Sequence, residues 1–470
     1  MAGSLDVGVK IPPMGVLAFL CNMAIGIGSM SLPKKIQEVG FALGGLFMIT
    51  LAVFAYIAAT FVVEAQSICN ALFSKDKNLS ASSPEEETLL INAEEGPLAD
   101  NFNISRRVEY TKIAEVLFPK ALRGFFILIF LGYFLGDLVI YACGVPRVFK
   151  QMFGETVTVY GHELTGMTLH RVVIVLFACI VTPLTLFDYQ KTRVLQYITL
   201  GMRFTAYYTM ITIGVIFLFE GNGTKWEDVP VFNWKKLPYL FGGVTYSMMT
   251  HHSLPSILTP IKDQAKTFSV LKMAYAIMPI SYILLTSTAV LSFSDPSLPE
   301  HCSNESGVAC KIQDLYLLNF ASYDFRIIAW GLLIFPFFIF TTLYPLIVMT
   351  LRNNLEQFLP FSPGSKLRRP VALFFSLIVP FLIAFTTSDF GHVMHLTGVL
   401  CGSFIMLAFP TLFAIYGRRL AKKHFPNTWM KNSMASKFQS GFWIFLVSFF
   451  FITVFSVSTT MELKDLFFKK

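Results

Sequence analysis

Asn22-Met23-Ala24-Ile25-Gly26-Ile27-Gly28-Ser29-Met30-Ser31-Leu32-Pro33 interrupts an apolar run, residues 14–37, that otherwise has the length of a membrane span. Further along, Tyr246-Ser247-Met248-Met249-Thr250-His251-His252-Ser253-Leu254-Pro255 does the same inside residues 237–260. Each stretch puts helix breakers and polar groups where a helix should be continuous. Unwound backbone is tolerated at membrane depth only where it is buried in protein or lines a cavity. Two such breaks at matching places in two halves of a chain are a sequence sign of a transporter's binding site.

The rest of the composition agrees with a membrane setting. Of 470 residues, 54% are hydrophobic and 14% charged, against about a quarter charged in soluble domains. Apolar stretches recur with the length needed to cross a hydrocarbon core of about 30 Å. Eleven spans are predicted, near 14–37, 41–68, 122–145, 169–187, 192–219, 237–260, 268–293, 326–351, 371–388, 391–417 and 440–459. The N-terminus lacks the basic n-region and small-residue cleavage site of a signal peptide. With residues 1–13 in the cytosol, about 23 of the 37 basic residues fall on the cytosolic side, as the distribution of Lys and Arg requires. The +8 net charge therefore reads as topology. It is spread over short loops, so nucleic acid is excluded as a partner and the lipid bilayer is the expected one.

This orientation assigns the remaining segments. Outer loops are expected at 220–236 and 294–325, a basic cytosolic loop at 418–439, and an outer or lumenal C-terminus at 460–470. Cys302 and Cys310 flank a polar outer stretch where oxidation is permitted, and a disulfide is predicted between them. Sequons at Asn222 and Asn304 lie on the same outer side and are expected to be glycosylated. Those at Asn78 and Asn103 fall in the cytosol and should be silent. The hydrophilic insertion 69–110 is poor in aromatic residues, and most of it is expected to be disordered. Its Glu85-Glu86-Glu87-Thr88-Leu89-Leu90 string has the form of a dileucine sorting signal, with Glu85, Leu89 and Leu90 in the defining places. Clathrin-adaptor binding and an endosomal or lysosomal destination follow from it, with the plasma membrane as the alternative.

Spans one to five (14–219) and six to ten (237–417) have similar lengths, and each set opens on a broken helix. Five is odd, so the second set enters from the opposite face; span eleven (440–459) is an addition. This is the arithmetic of a five-plus-five inverted repeat. A break leaves N–H and C=O groups without partners. The backbone of Gly26, Ile27, Gly28 and Ser29 could hold a carboxylate at the start of the next helical fragment, with the glycines allowing unusual φ values and close approach. Carbonyls around Tyr246, Ser247, Met248 and Met249 could receive an ammonium group. Together these ends describe an α-amino acid. A glycine-rich packing face is the plain alternative, which the matched second break disfavours.

The strings CNMAIGIGSMSLPKK and YSMMTHHSLPSILTPIKD resemble the first and sixth spans of the amino acid/auxin permease superfamily, which includes sodium-coupled neutral amino acid transporters. LGDLVIYACGVP, LFDYQKTRVLQYITLGMRF, HHSLPSILTP, DLYLLNF and TLRNN are more specifically similar to the transmembrane protein 104 family, an orphan branch. The resemblance implies an all-α polytopic membrane protein of LeuT-type fold, with helices 1 and 6 broken and an eleventh helix added. It also implies proton- or sodium-coupled amino acid transport for the wider group. Asn22 falls where sodium-coupled relatives contribute to a cation site. The span-eight threonine of those relatives aligns with Leu343, with Thr341 and Thr342 beside it, which weakens the case for sodium.

Ionisable groups at membrane depth face the interior and have partners. Asp137 and His251 are candidate proton-coupling residues, alongside Asn22, Thr341 and Thr342 for a cation. His251 and His252 point about 100° apart on helical geometry, so only one need face the site. Arg203 paired with Asp137 or Glu64 is the structural alternative; Arg203 facing a substrate carboxylate is another. The resulting expectation is a secondary active transporter of small neutral amino acids working by alternating access, with protons favoured over sodium as the coupling ion. A sensor or scaffold signalling through cytosolic loops is the alternative. No zinc spacing, nucleophile motif or phosphate loop suggests an enzyme, a metal site or a cofactor.

Overall fold

The structure, a computed structural model, describes residues 10–75, 102–186, 193–221, 223–300, 302, 309–359 and 365–468. The chain begins with α1 (Pro13–Ala24), α2 (Ile27–Met30) and α3 (Leu32–Val39), then a long α4 (Phe41–Lys75). After residue 101 come α5 (Tyr110–Leu117) and α6 (Lys120–Phe153). A hairpin of β1 (Thr156–Val159) and β2 (His162–Thr165) leads to α7 (Gly166–Leu186) and α8 (Arg193–Phe219). The second half holds α9 (Leu237–Ser247), α10 (Leu254–Leu258), α11 (Thr267–Phe293), α12 (Arg326–Phe358) and α13 (Arg368–Ala384). α14 (Phe390–Thr397) runs through π-helical segments Gly398–Gly402 and Phe404–Ala408 into α15 (Phe409–His424), and α16 (Gly441–Phe468) follows.

Eight helices among the described residues are long and apolar enough to cross a membrane: α4, α6, α7, α8, α11, α12, the continuous α14–α15 and α16. The protein is therefore an integral, multi-pass membrane protein. Of the other three segments expected to span, 371–388 overlaps the 17-residue α13. The remaining two are series of shorter helices, and their restarts have a local cause. α3 and α10 each begin with a leucine followed by a proline, Leu32-Pro33 and Leu254-Pro255. Proline suits the first turn of a helix, where its missing N–H has no intrahelical acceptor to lose.

Two close approaches position these short helices. Gly40 turns the chain between α3 and α4 at φ +98°, and a Cβ there would lie 2.4 Å from the Val231 backbone, so only glycine fits. At the other crossing, a Cβ on Gly398 would come 1.9 Å from the Gly242 carbonyl oxygen, so α9 meets the π-helical segment backbone to backbone. α11 packs across α1, α3, α4 and α8, while α12 packs along α6. Just before α1, Ile11 bridges in parallel to Ile261 beyond α10: the Ile11 N–H donates to Pro260 O (2.7 Å) and Lys262 N–H to Ile11 O (2.8 Å).

Several sequence expectations change here. The described chain is not purely helical: β1 and β2 pair in antiparallel register, joined through Tyr160 and Gly161, both at positive φ. A two-residue turn with both φ values positive matches the right-handed twist of a hairpin, and the alternation of TVTV before it was the overlooked signal. The insertion 69–110 is structured at both edges. α4 continues to Lys75, and Ile104 exchanges hydrogen bonds with the Gln264 side chain (3.1 and 2.7 Å). Cys302 and Cys310 are joined by a disulfide. Asn78, Glu85, Leu89, Leu90, Asn222 and Asn304 lie outside the described residues. α16 is peripheral, with 11% of its apolar window buried.

Candidate functional site

The two interruptions border one cavity of about 1150 Å³, measured with its mouth. α1 stops at Ala24, Gly26 is extended (φ −135°, ψ −161°), and α2 restarts at Ile27. α9 stops at Ser247, and the chain passes through a 3₁₀ turn at His251–Ser253 before α10. Gly26, Ile27 and Gly28 line the cavity from the first break; Tyr246, Ser247 and Met249 line it from the second. Tyr282 of α11 clasps the two, its hydroxyl 2.8 Å from both the Ala24 and Ser247 carbonyl oxygens. One hydroxyl proton cannot serve both acceptors at once, so these two broken ends share it.

The expected members of the site do not all reach it. Ser29 is buried against its own turn, donating to Gly26 O at 2.6 Å, and neither it nor Met248 lines the cavity. His251 is also turned away. Its Nε2 lies 2.9 Å from Ala55 O and its Nδ1 3.3 Å from the Tyr275 hydroxyl, which ties it to α4 and α11. His252 lines the cavity in its place. The 3₁₀ turn decides which of the adjacent rings faces inward, and helical spacing in the sequence leaves that open. The glycines differ from expectation as well: neither Gly26 nor Gly28 is at positive φ. Around Gly26 there is room, the nearest atom to a built Cβ being Arg203 Nη1 at 3.8 Å. At Gly28 a Cβ would press on Tyr246 Cδ1 (2.9 Å) and Ser247 Cα (3.1 Å), so that residue lets α2 pack on α9.

The charged groups rearrange too. Asp137, at the middle of α6, accepts a hydrogen bond from the Tyr246 hydroxyl and lines the cavity. Arg203 of α8 lines it as well, but forms no ion pair with Asp137 or Glu64. Instead its Nη1 donates to the Asn22 carbonyl oxygen at 2.8 Å, a carbonyl in the last turn of α1. Helix-end carbonyls lack intrahelical donors, and a guanidinium is a natural partner for them. Glu64 lies elsewhere, in a bidentate pair with Arg418 of α15 (2.9 and 2.7 Å) and near the Ser436 N–H (3.3 Å). The Asn22 side chain lines the cavity, and its Oδ1 is buried without a partner. Thr341 and Thr342 return their hydroxyls to Phe337 O (2.8 Å) and Phe338 O (2.9 Å) of their own helix, and Leu343 lines the cavity beside them.

Sequence reasoning missed several contributors. Phe19, Tyr133, Tyr141, Thr199 and Leu346 line the cavity because of how α1, α6, α8 and α12 pack. It also missed a charge cluster toward one end of the bundle. Asp314, in the loop before α12, bonds Lys34 of α3 (2.8 Å) and Arg147 of α6. Burial alone would raise the Asp314 carboxyl pKa, but the two cations outweigh it and hold the pKa below the ordinary aspartate value.

Comparisons with known proteins agree with a transporter. The family model described as "Transmembrane amino acid transporter protein" matches residues 98–460. A transmembrane protein 104 homolog of Dictyostelium discoideum is 30% identical, covering 95% of this chain and 96% of its own length. Transmembrane protein 104 of Mus musculus is 28% identical over 98% of this chain and all of its own. Among solved structures, a manganese transporter mutant of Eremococcus coleocola superposes with a TM-score of 0.56 at 10% identity, covering 99% of this chain and 92% of that one. At that identity the likeness speaks for the transporter fold alone. The chain is a non-enzymatic membrane transporter and belongs to the transmembrane protein 104 family, within the transmembrane amino acid transporter proteins.

Proposed function

We propose that this protein is a secondary active transporter of small neutral α-amino acids, coupled to protons. The carrying observation is that both helix interruptions, the Asp137 carboxylate and the Arg203 guanidinium border a single cavity. A zwitterion presents one anionic and one cationic group a few bonds apart, and this cavity offers a counterpart to each. Asp137, steadied by Tyr246, receives the ammonium group; Arg203 and the backbone at Gly26–Gly28 receive the carboxylate. Proton coupling is favoured because Asp137 is the carboxylate that lines the cavity, whereas Leu343, beside Thr341 and Thr342, brings no oxygen to the unpaired Asn22 Oδ1. Asp137 takes a proton once the ammonium group has left it, so proton and amino acid alternate on one carboxylate.

Alternating access would rock the segments 14–68 and 237–293 against the other helices of two repeats, 14–219 and 237–417. Support comes from the Ile11–Ile261 bridge and the Tyr282 clasp, which make the two broken segments one body. The test is flux of a labelled amino acid panel into proteoliposomes under imposed pH or sodium gradients. Uptake driven by a pH gradient is expected. Binding without flux would favour the sensor, and no amino acid moving or binding would end the amino acid reading. We further propose delivery to endosomal or lysosomal membranes through Glu85, Leu89 and Leu90. Alanine at both leucines should move the protein to the plasma membrane, and an unchanged distribution would remove that assignment.

A further inference from the structure

His252 lines the cavity, yet neither zwitterion group needs it. It is 7% exposed, its ring lies 5.5 Å from that of Tyr133 and edge-on to Phe134 at 5.6 Å, and both ring nitrogens are buried without a hydrogen-bond partner. The adjacent His251, by contrast, spends its Nε2 on Ala55 O. A buried polar group left unpaired costs about 1–3 kcal/mol, so an imidazole held this way among aromatic rings needs a partner that the protein does not supply. Its place in the cavity says where that partner would sit. Tyr133, on which His252 leans, precedes Asp137 by four residues on α6, just over one helical turn, or roughly 6 Å along the axis. That is the reach of a short side chain from a substrate whose ammonium group is at Asp137.

We infer that His252 reads the substrate's side chain, and that the transported class is α-amino acids with a short hydrogen-bonding side chain: an amide, a hydroxyl or an imidazole. The inference rests on the amino acid reading above and narrows it. In this state neither ring nitrogen is in contact with water. A small shift of the ring toward a bound amide or hydroxyl supplies the missing partner, whereas an apolar side chain of equal size leaves the ring stranded. Sites built around a hydrogen bond reject analogues that lack it far more strongly than apolar pockets reject an extra methylene.

The test uses the purified full-length protein with near-isosteric pairs: glutamine against methionine, serine against 2-aminobutyrate, threonine against valine. Binding competition in detergent and uptake in proteoliposomes are both read. The polar member of each pair should be preferred by at least about tenfold. His252→Phe should bring the binding ratios toward one, and His252→Gln should restore part of the preference. Wild-type ratios near one would overturn the inference whatever the variants do, as would an unchanged preference in His252→Phe. Amino acids that bind with no preference sink this inference and leave the transporter reading standing. An absence of any amino acid binding sinks both.

Discussion

The Arg203 guanidinium donates a 2.8 Å hydrogen bond to the Asn22 carbonyl oxygen, joining α8 to the final turn of α1 at the edge of the cavity. This contact places a permanent positive charge beside the first helix interruption, facing the cavity that Asp137 also lines and in direct ion pair with no carboxylate. Arg203→Lys keeps the charge but loses the planar fork and shortens the reach. It should raise the apparent Km for amino acid uptake by tenfold or so, and Arg203→Gln should raise it further. Wild-type Km in both variants would remove Arg203 from the site.

Asp137 and Tyr246 should behave as a unit. Asp137→Asn is expected to abolish gradient-driven accumulation, because it removes both the ammonium partner and the proton carrier. Exchange across the membrane at equal pH is the discriminating readout. If exchange survives while accumulation is lost, Asp137 carries the proton; if both vanish, it acts in binding. Tyr246→Phe removes one charge-assisted hydrogen bond, worth about 1.5–3 kcal/mol, and should weaken binding by at least about tenfold.

The two glycines of the first interruption should respond unequally. Gly26→Ala meets no atom closer than 3.8 Å and should retain uptake, while a bulky residue there should block it. Gly28→Ala pushes on Tyr246 and the Ser247 backbone and should lower uptake several-fold although the protein still inserts. Equal tolerance at both positions, scored by uptake per surface-labelled protein, would contradict this packing.

Asp314 has a depressed pKa while folded, so its pairs with Lys34 and Arg147 stabilise the fold above the unfolded aspartate value. That contribution fades only as pH falls through the lower folded value. Between pH 7 and 5 the carboxylate therefore stays charged and the cluster intact. Asp314→Asn should lower the thermal midpoint in detergent by the same amount at pH 7 and pH 5. A difference that shrinks at pH 5 would assign the titration to another group.

Glu64 and Arg418 form a bidentate pair with side chains only 5% and 12% exposed. Removing one partner of such a buried pair costs about 3–5 kcal/mol. Arg418→Ala should thus destabilise the protein severely, with Glu64→Gln less harmful because the amide keeps some of the hydrogen bonds. Thermal unfolding followed by size-exclusion fluorescence checks the order.

Much of the architecture was legible in the residues alone. Apolar length marks the eight spans, because a helix that crosses hydrocarbon must hide its backbone and cover itself with apolar side chains. Ser31-Leu32-Pro33 and Ser253-Leu254-Pro255 mark where short helices restart, because proline dictates local backbone geometry. The Cys302–Cys310 disulfide followed from spacing in a polar loop. Partnership was a different matter. Glu64 with Arg418, Asp137 with Tyr246 and Arg203 with the Asn22 carbonyl join residues far apart in the chain, and a buried charge accepts any donor that packing brings within reach. The choice between His251 and His252 was likewise left to the tertiary structure. Adjacent residues share the same sequence context, and only the 3₁₀ turn, seated against Ala55 and Tyr133, sends one ring into the protein interior and the other to the cavity.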